Sequence, residues 1–246
     1  MLKLSNIKKS FAGQELFSDL SFNINKHEKI GLVGRNGSGK TTLFKLILGE
    51  MEDDAGEIYI PKNYKLGCVS QHIKFSKKNI LDEVCLGLED ADKGEIWRAK
   101  KILHGLGFSE EDFQKSPTIF SGGFQVRLNL AKLLLSSPDI LLLDEPNNYL
   151  DIVAVRWLID FLKSWKNELV LITHDRHFMD SIITHTVALH RKKAKKIKGT
   201  TTKIYDQISR EEDVYEKTRV NEEKKIKQTE IFIDKFRAKA RLGGMV

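Results

Sequence analysis

The stretch Gly34-Arg35-Asn36-Gly37-Ser38-Gly39-Lys40-Thr41 gathers the residue types that phosphate chemistry needs. Glycines let backbone amides turn inward around phosphate oxygens, a lysine adds a point charge, and the adjacent hydroxyl can reach a divalent cation. The G-x-x-x-x-G-K-T spacing works only with a strand before it and a helix after it, whose first amides carry partial positive charge. Both are readable here. Lys29-Ile30-Gly31-Leu32-Val33 is a buried-strand pattern, and a helix follows from about residue 40 to 48, with Gly49 placed to stop it. Gly34, Asn36, Gly37, Ser38, Gly39, Lys40, Thr41 and Thr42 are the candidate phosphate-binding residues. Lys40 would reach the outer phosphates and Thr41 a Mg²⁺ ion. A tight turn with no ligand is the other reading of such a loop.

Ile140-Leu141-Leu142-Leu143-Asp144-Glu145 is a continuous apolar run ending in two acids. A carboxylate at the mouth of a buried strand needs a cation partner, which makes Asp144 a candidate Mg²⁺ ligand. Glu145, one residue further, can orient or deprotonate an attacking water. Two neighbouring acids are a weak signal alone. With a phosphate loop in the same chain they point to hydrolytic phosphoryl transfer.

These residues need a scaffold, and the rest of the pattern supplies one. Leu20–Ile24 alternates as a strand, with looser strand signals from residue 2. Strands are expected at Glu57–Ile60, Leu66–Val69, Ile140–Leu143 and Leu169–Thr173. Helices are expected from Asn79 to about Phe113, over Phe124–Leu135 and over Val153–Trp165. Strands alternating with helices predict a helix-covered, mostly parallel sheet, with an added antiparallel layer at the front. Thr186–His190, Lys195–Lys198 and Lys203–Tyr205 read as a closing set of strands. Ser209-Arg210-Glu211-Glu212 fits a capping box, and no proline or glycine follows it up to Arg241, so a charged helix is expected from residue 209.

Charge is unevenly placed. Residues 1–189 hold 24 basic and 25 acidic side chains, whereas residues 190–246 hold 17 and 9. The whole net charge of +7 therefore resides in the tail. No apolar run approaches a membrane span, and the first residues lack a signal-peptide core. Cys68 and Cys85 carry no metal-binding spacing. A soluble, cytoplasmic protein is expected.

Further motifs give the chain a family resemblance. Ser121-Gly122-Gly123 opens a helix as the signature motif of ATP-binding cassettes does, and His174 in Ile172-Thr173-His174-Asp175 matches that family's switch histidine. Gln71, after the strand 66–70, resembles the glutamine that senses Mg²⁺ and the attacking water. Phe11 lies 29 residues before Lys40, where an aromatic commonly stacks on adenine; read alone, such a residue is more often part of the core. The resemblance spans residues 2–190. It implies an α/β P-loop NTPase with a mixed sheet, an antiparallel β layer and a helical signature subdomain over about residues 72–136. It also implies ATP and Mg²⁺ as ligands. Glu145, His174 and Gln71 would be the catalytic set, Thr41, Gln71 and Asp144 the metal set, and Ser121, Gly122 and Gly123 would cap ATP held by a facing cassette.

Within that family the chain is similar to the ABC-F group of twin-cassette proteins without membrane domains. The carrying stretches are Phe120-Ser121-Gly122-Gly123-Phe124-Gln125-Val126-Arg127, Asp144–Asp151 and His174-Asp175-Arg176-His177-Phe178-Met179-Asp180. Asn147 and Tyr149 depart from the group's D-E-P-T-N-H-L-D. Residues 232–240 resemble the basic inter-cassette linker, which implies a ribosome or tRNA partner; as plain chemistry they are a phosphate-attracting face or a solvated helix. The expected division is a cassette over residues 1–208 and a truncated linker helix over 209–246. One phosphate loop and one signature imply a second cassette as partner, with slow hydrolysis alone. The spacing of Gln71 and Ser121 leaves room for a short inserted arm or none. An energy-supplying subunit of a membrane transporter is the alternative function, and an ATP clamp with little turnover a third.

Overall fold

A computed structural model describes residues 1–69, 75–88 and 94–243. The chain forms two compact units that divide between Thr201 and Thr202.

The first unit contains two sheets. Strands β1 (Leu2–Phe11), β2 (Gln14–Ile24) and β4 (Ala55–Tyr59) make an antiparallel sheet in the order β2-β1-β4. The larger sheet has the order β5-β6-β7-β3-β8-β9, built from β3 (Lys29–Gly34), β5 (Leu66–Cys68), β6 (Ile140–Asp144), β7 (Glu168–Ile172), β8 (His185–His190) and β9 (Lys193–Lys198). Every pairing from β5 to β8 is parallel, and β9 closes the edge antiparallel to β8. This matches the expected mixed sheet with an added β layer.

Strands β3, β6 and β7 are apolar apart from Lys29, Asp144 and Glu168 at their ends because both their faces are covered. Ile30 and Leu32 of β3, Ile140 and Leu142 of β6, and Val170 and Ile172 of β7 turn to one core. There they meet Leu4, Phe17 and Leu20 of the antiparallel sheet and Leu43, Phe44 and Ile47 of helix α1 (Lys40–Ile47). Each fully buried leucine or isoleucine contributes about 1.5–3 kcal/mol of transfer free energy. That packing fixes α1, and with it the loop that precedes α1. The opposite face carries Leu141, Leu143, Leu169 and Leu171, also buried.

Between β5 and β6 lies a helical region: α2 (Ile80–Cys85), α3 (Ile96–Gly105) and α4 (Gly122–Leu135). The expected continuous helical stretch from Asn79 to Phe113 is thus α2 and α3 plus a short 3-10 turn at Glu110–Asp112 among the described residues. Helix α5 (Ile152–Ser164) starts under an Asp151 cap that accepts the Val153 and Ala154 amides, and α6 (Arg176–Ile182) starts under Asp175.

The last expectation needs correction. Lys203–Tyr205 is no strand, and Ser209 does not open the final helix: α7 runs from Thr201 to Gly243. Asp180, at the end of α6, takes both the Thr201 amide (2.9 Å) and the Thr201 hydroxyl (3.0 Å). This carboxylate supplies the N-terminal cap from outside the local sequence, so helix begins eight residues before the Ser209 capping box. Along α7, Arg219 pairs with Glu216 and Glu223, and Ile226 and Ile233, seven residues apart, are both exposed. No described helix is long and apolar enough to cross a membrane.

Candidate functional site

The turn from β3 into α1 is held by two close approaches. Gly34 faces the Ser38 hydroxyl so tightly that a Cβ there would come to 2.4 Å of it. Gly39 precedes α1 at φ 95°, a left-handed conformation costly for other residues, and a Cβ would meet the Phe17 ring at 2.6 Å. The helix start has no side-chain cap, and the buried Ser38 hydroxyl has no hydrogen-bond partner. Free amides at a helix N-terminus with an unpartnered hydroxyl beside them suit an anion. Lys40 bends back so that its ammonium donates to the Gly34 carbonyl at 2.9 Å and the Arg35 carbonyl at 3.3 Å.

The parallel pairing of β6 with β7 brings the acids to the same place. Asp144 stands opposite Ile172, and its Oδ2 accepts the Thr41 hydroxyl at 3.1 Å. Glu145 follows at φ 49°, a conformation costing about 1–2 kcal/mol for a residue with a Cβ. Its backbone is pinned: its amide donates to the Ile172 carbonyl at 2.8 Å and its carbonyl accepts the Asn148 amide at 3.1 Å. This strained corner turns the side chain back over the strand end. There Oε2 accepts from the Thr173 hydroxyl at 3.1 Å, while Oε1 is buried with no hydrogen-bond partner. His174 Nε2 lies 3.6 Å from Oε1, and the His174 side chain is 71% exposed.

These residues line one open cleft of about 510 Å³, formed by Phe11, Leu16, Asn36, Gly37, Gly39, Lys40, Thr41, Thr42, Asp144, Glu145, Ile172 and His174. Gly34 and Ser38 are not among the lining residues; they pack against each other in the turn that carries Asn36 to Lys40. Phe11 is an exposed aromatic at the rim, with the Lys9 ammonium 5.6 Å from its ring centroid, so the core reading of Phe11 does not hold. Gln71 lies outside the described residues. Leu16 lines the cleft and Thr173 supports Glu145, and neither is singled out by the motifs. Leu16 gives no sequence signal, whereas Thr173 could have been found as the hydroxyl residue beside His174 at a strand mouth.

Ser121, Gly122 and Gly123 are not in this cleft. Ser121 and Gly122 are exposed at the start of α4, where the Ser121 side chain makes no capping bond. Gly123 lies against Tyr149, whose Cβ would be 3.3 Å from an added Cβ. The helix behind them is anchored by Arg127, which is buried. It donates to the Tyr149 carbonyl (2.8 Å), the Leu106 carbonyl (3.1 Å) and the Asp151 carboxylate (3.1 Å), and lies 4.5 Å from the Phe124 ring. Hydrogen bonds from the Ala154 amide and Arg127 hold the Asp151 carboxyl below the usual range. Phe108 packs edge-on against Phe120 and Phe124. The signature thus sits on a rigid base and presents its backbone outward.

Phosphate loop, strand-end acids and outward-facing signature together define a P-loop nucleotide-binding cassette. Comparison with known proteins agrees. Residues 17–148 match the family model described as ABC transporter, and residues 187–246 match a second model with that description. The chain is 35% identical to YheS of Haemophilus influenzae and 30% identical to YdiF of Bacillus subtilis, in each case over 98% of its own length. It is 32% identical over 76% of its length to ABC transporter F family member 5 of Arabidopsis thaliana. A dimeric bacterial ABC transporter cassette superposes with a TM-score of 0.66 at 25% identity, covering 80% of this chain and 98% of that one. The chain belongs to the ABC transporter family. It spans 42% of YheS and 44% of YdiF, under half of each.

Proposed function

We propose that this cassette binds ATP with Mg²⁺ in the Lys40 cleft and hydrolyses it when a second cassette closes over the nucleotide. The observation that carries the reading is the convergence of Lys40, the Thr41–Asp144 pair and the Glu145–His174 pair on one cleft. The loop amides and Lys40 would hold the phosphates, and Phe11 would stack on the base. A hydroxyl and one carboxylate suit Mg²⁺, which keeps most of its ligands as water and phosphate oxygen. Bound there by Thr41 and Asp144, with Gln71 as a further ligand, Mg²⁺ would neutralise charge on the phosphates. Glu145 orients the attacking water and takes its proton, and His174 steadies the outermost phosphate. Water adds to the γ-phosphorus, the bond to the bridging oxygen breaks, and ADP and phosphate leave. The outward-facing Ser121–Gly123 would cap a nucleotide held by the other cassette. A dimeric cassette among the similar structures supports two-cassette closure.

The finer reading is a cytoplasmic ribosome- or tRNA-associated factor without a membrane domain, its α7 helix being the linker that reaches RNA. The basic excess of residues 190–246 and the ABC-F relatives support it. Co-sedimentation with ribosomes, using the Glu145→Gln protein and ATP, tests it: retention on ribosomes is expected, and retention on detergent-solubilised membrane proteins instead would favour a transporter subunit.

A further inference from the structure

Asn147 stands two residues after Glu145, and its side-chain amide reaches the Thr173 hydroxyl: Oδ1 lies 2.8 Å from Oγ1. The same hydroxyl is 3.1 Å from Glu145 Oε2 and accepts the Asp175 amide at 3.2 Å. A threonine hydroxyl has one hydrogen and two lone pairs, so it cannot donate to Glu145 and to Asn147 together. A carboxylate can only accept. An amide side chain, however, can present either its oxygen or its NH₂ at the same place. With the NH₂ of Asn147 toward Thr173, every valence is used. The hydroxyl accepts from Asn147 and from the Asp175 amide, and its one hydrogen goes to Glu145. With the oxygen there instead, the Thr173 hydrogen is drawn to Asn147. Glu145 then loses its side-chain donor, on a carboxylate whose other oxygen already has none.

We infer that Asn147 is a positioning residue: it donates its side-chain N–H to Thr173, which commits the Thr173 hydroxyl to Glu145 and fixes that carboxylate for hydrolysis. This rests on the reading of Glu145 as the water-orienting group. Asn147 acts through its contact with Thr173. It does not line the cleft, so its effect belongs to turnover and not to ATP affinity.

Asn147→Asp tests this at constant shape, because the new carboxylate can only accept and takes the Thr173 hydrogen. Saturated turnover should fall about tenfold with ATP affinity unchanged, the scale of one lost hydrogen bond to a charged group. Thr173→Val should do the same, and Thr173→Ser should restore most of the rate. The double variant Asn147→Asp, Thr173→Val should be no slower than Thr173→Val alone, since the two changes break one relay. Parental turnover in Asn147→Asp would overturn the inference. So would a fully additive loss in the double variant, which would mark a general charge effect, or a loss of ATP affinity parallel to the loss of rate. Glu145→Gln is measured alongside. If it hydrolyses at the parental rate, the reading of Glu145 falls; if it loses turnover while Asn147→Asp does not, only the role of Asn147 falls.

Discussion

The Thr41 hydroxyl donates to Asp144 across 3.1 Å, joining the first turn of α1 to the end of β6. The pair exists because α1 and β6 share a core, where Leu43 and Phe44 meet Leu142 and Ile140. It leaves a hydroxyl and a carboxylate together beside Lys40 at the mouth of the sheet.

Two substitutions separate the phosphate and metal roles. Lys40→Ala should abolish tight ATP binding, because the cleft then loses the ammonium that the loop brings to it. Thr41→Val should keep binding of Mg²⁺-free ATP and lose the gain that Mg²⁺ brings. Fluorescent ATP titrations with and without Mg²⁺ read both. Unchanged affinity in Lys40→Ala would remove the phosphate-loop assignment.

Arg127→Ala should destabilise the protein by about 2 kcal/mol, since the Leu106 and Tyr149 carbonyls and the Asp151 carboxylate all lose a charged donor. Urea unfolding measures it as a lower midpoint. A midpoint within error of the parent would show that Arg127 is not the anchor of the signature helix.

Much of the site was readable in order along the chain, because each motif is short and keeps its own strand-to-helix turn. The Lys40 loop, Asp144, Glu145 and His174 all fall where the pattern of apolar runs puts strand ends. Less local features were not readable. The start of α7 depends on Asp180 capping Thr201 from another element, and nothing near residue 201 announces that. The helical reading of residues 79–113 passes over Gly87 and Gly94, which bracket a polar run and weaken a helix there. Thr173 matters through a partner 28 residues away, a distance no periodicity reports.

Acid should loosen the helical region through Glu83. Burial alone would push this carboxyl up, but hydrogen bonds from Lys132 and the Ser76 and Lys77 amides outweigh it and hold it below the usual range. A carboxyl lowered on folding stabilises above its unfolded value, and that contribution is lost as pH falls through the folded value. Glu83→Gln should therefore cost stability at neutral pH and progressively less below about pH 4. Denaturation midpoints of both proteins across pH check it; a difference that stays constant down to acid pH would contradict the ion pair.

Charge reversal at Lys235, Arg237 and Lys239 should weaken RNA binding while leaving ATP binding intact. In the parent, RNA affinity should fall steeply with salt, as contacts to phosphate release counterions. Filter binding over a salt series measures both. A flat salt dependence would exclude an electrostatic role for α7.

The most direct test of the whole account pairs two readings on Glu145→Gln: ATP affinity by titration, and phosphate release in a single turnover at high protein concentration. Lys40, Thr41 and Asp144 remain in place, so affinity should match the parent. Release should fall at least about a hundredfold, the lower range for loss of a general base. Phosphate release at the parental rate, with ATP bound as tightly as before, would contradict it.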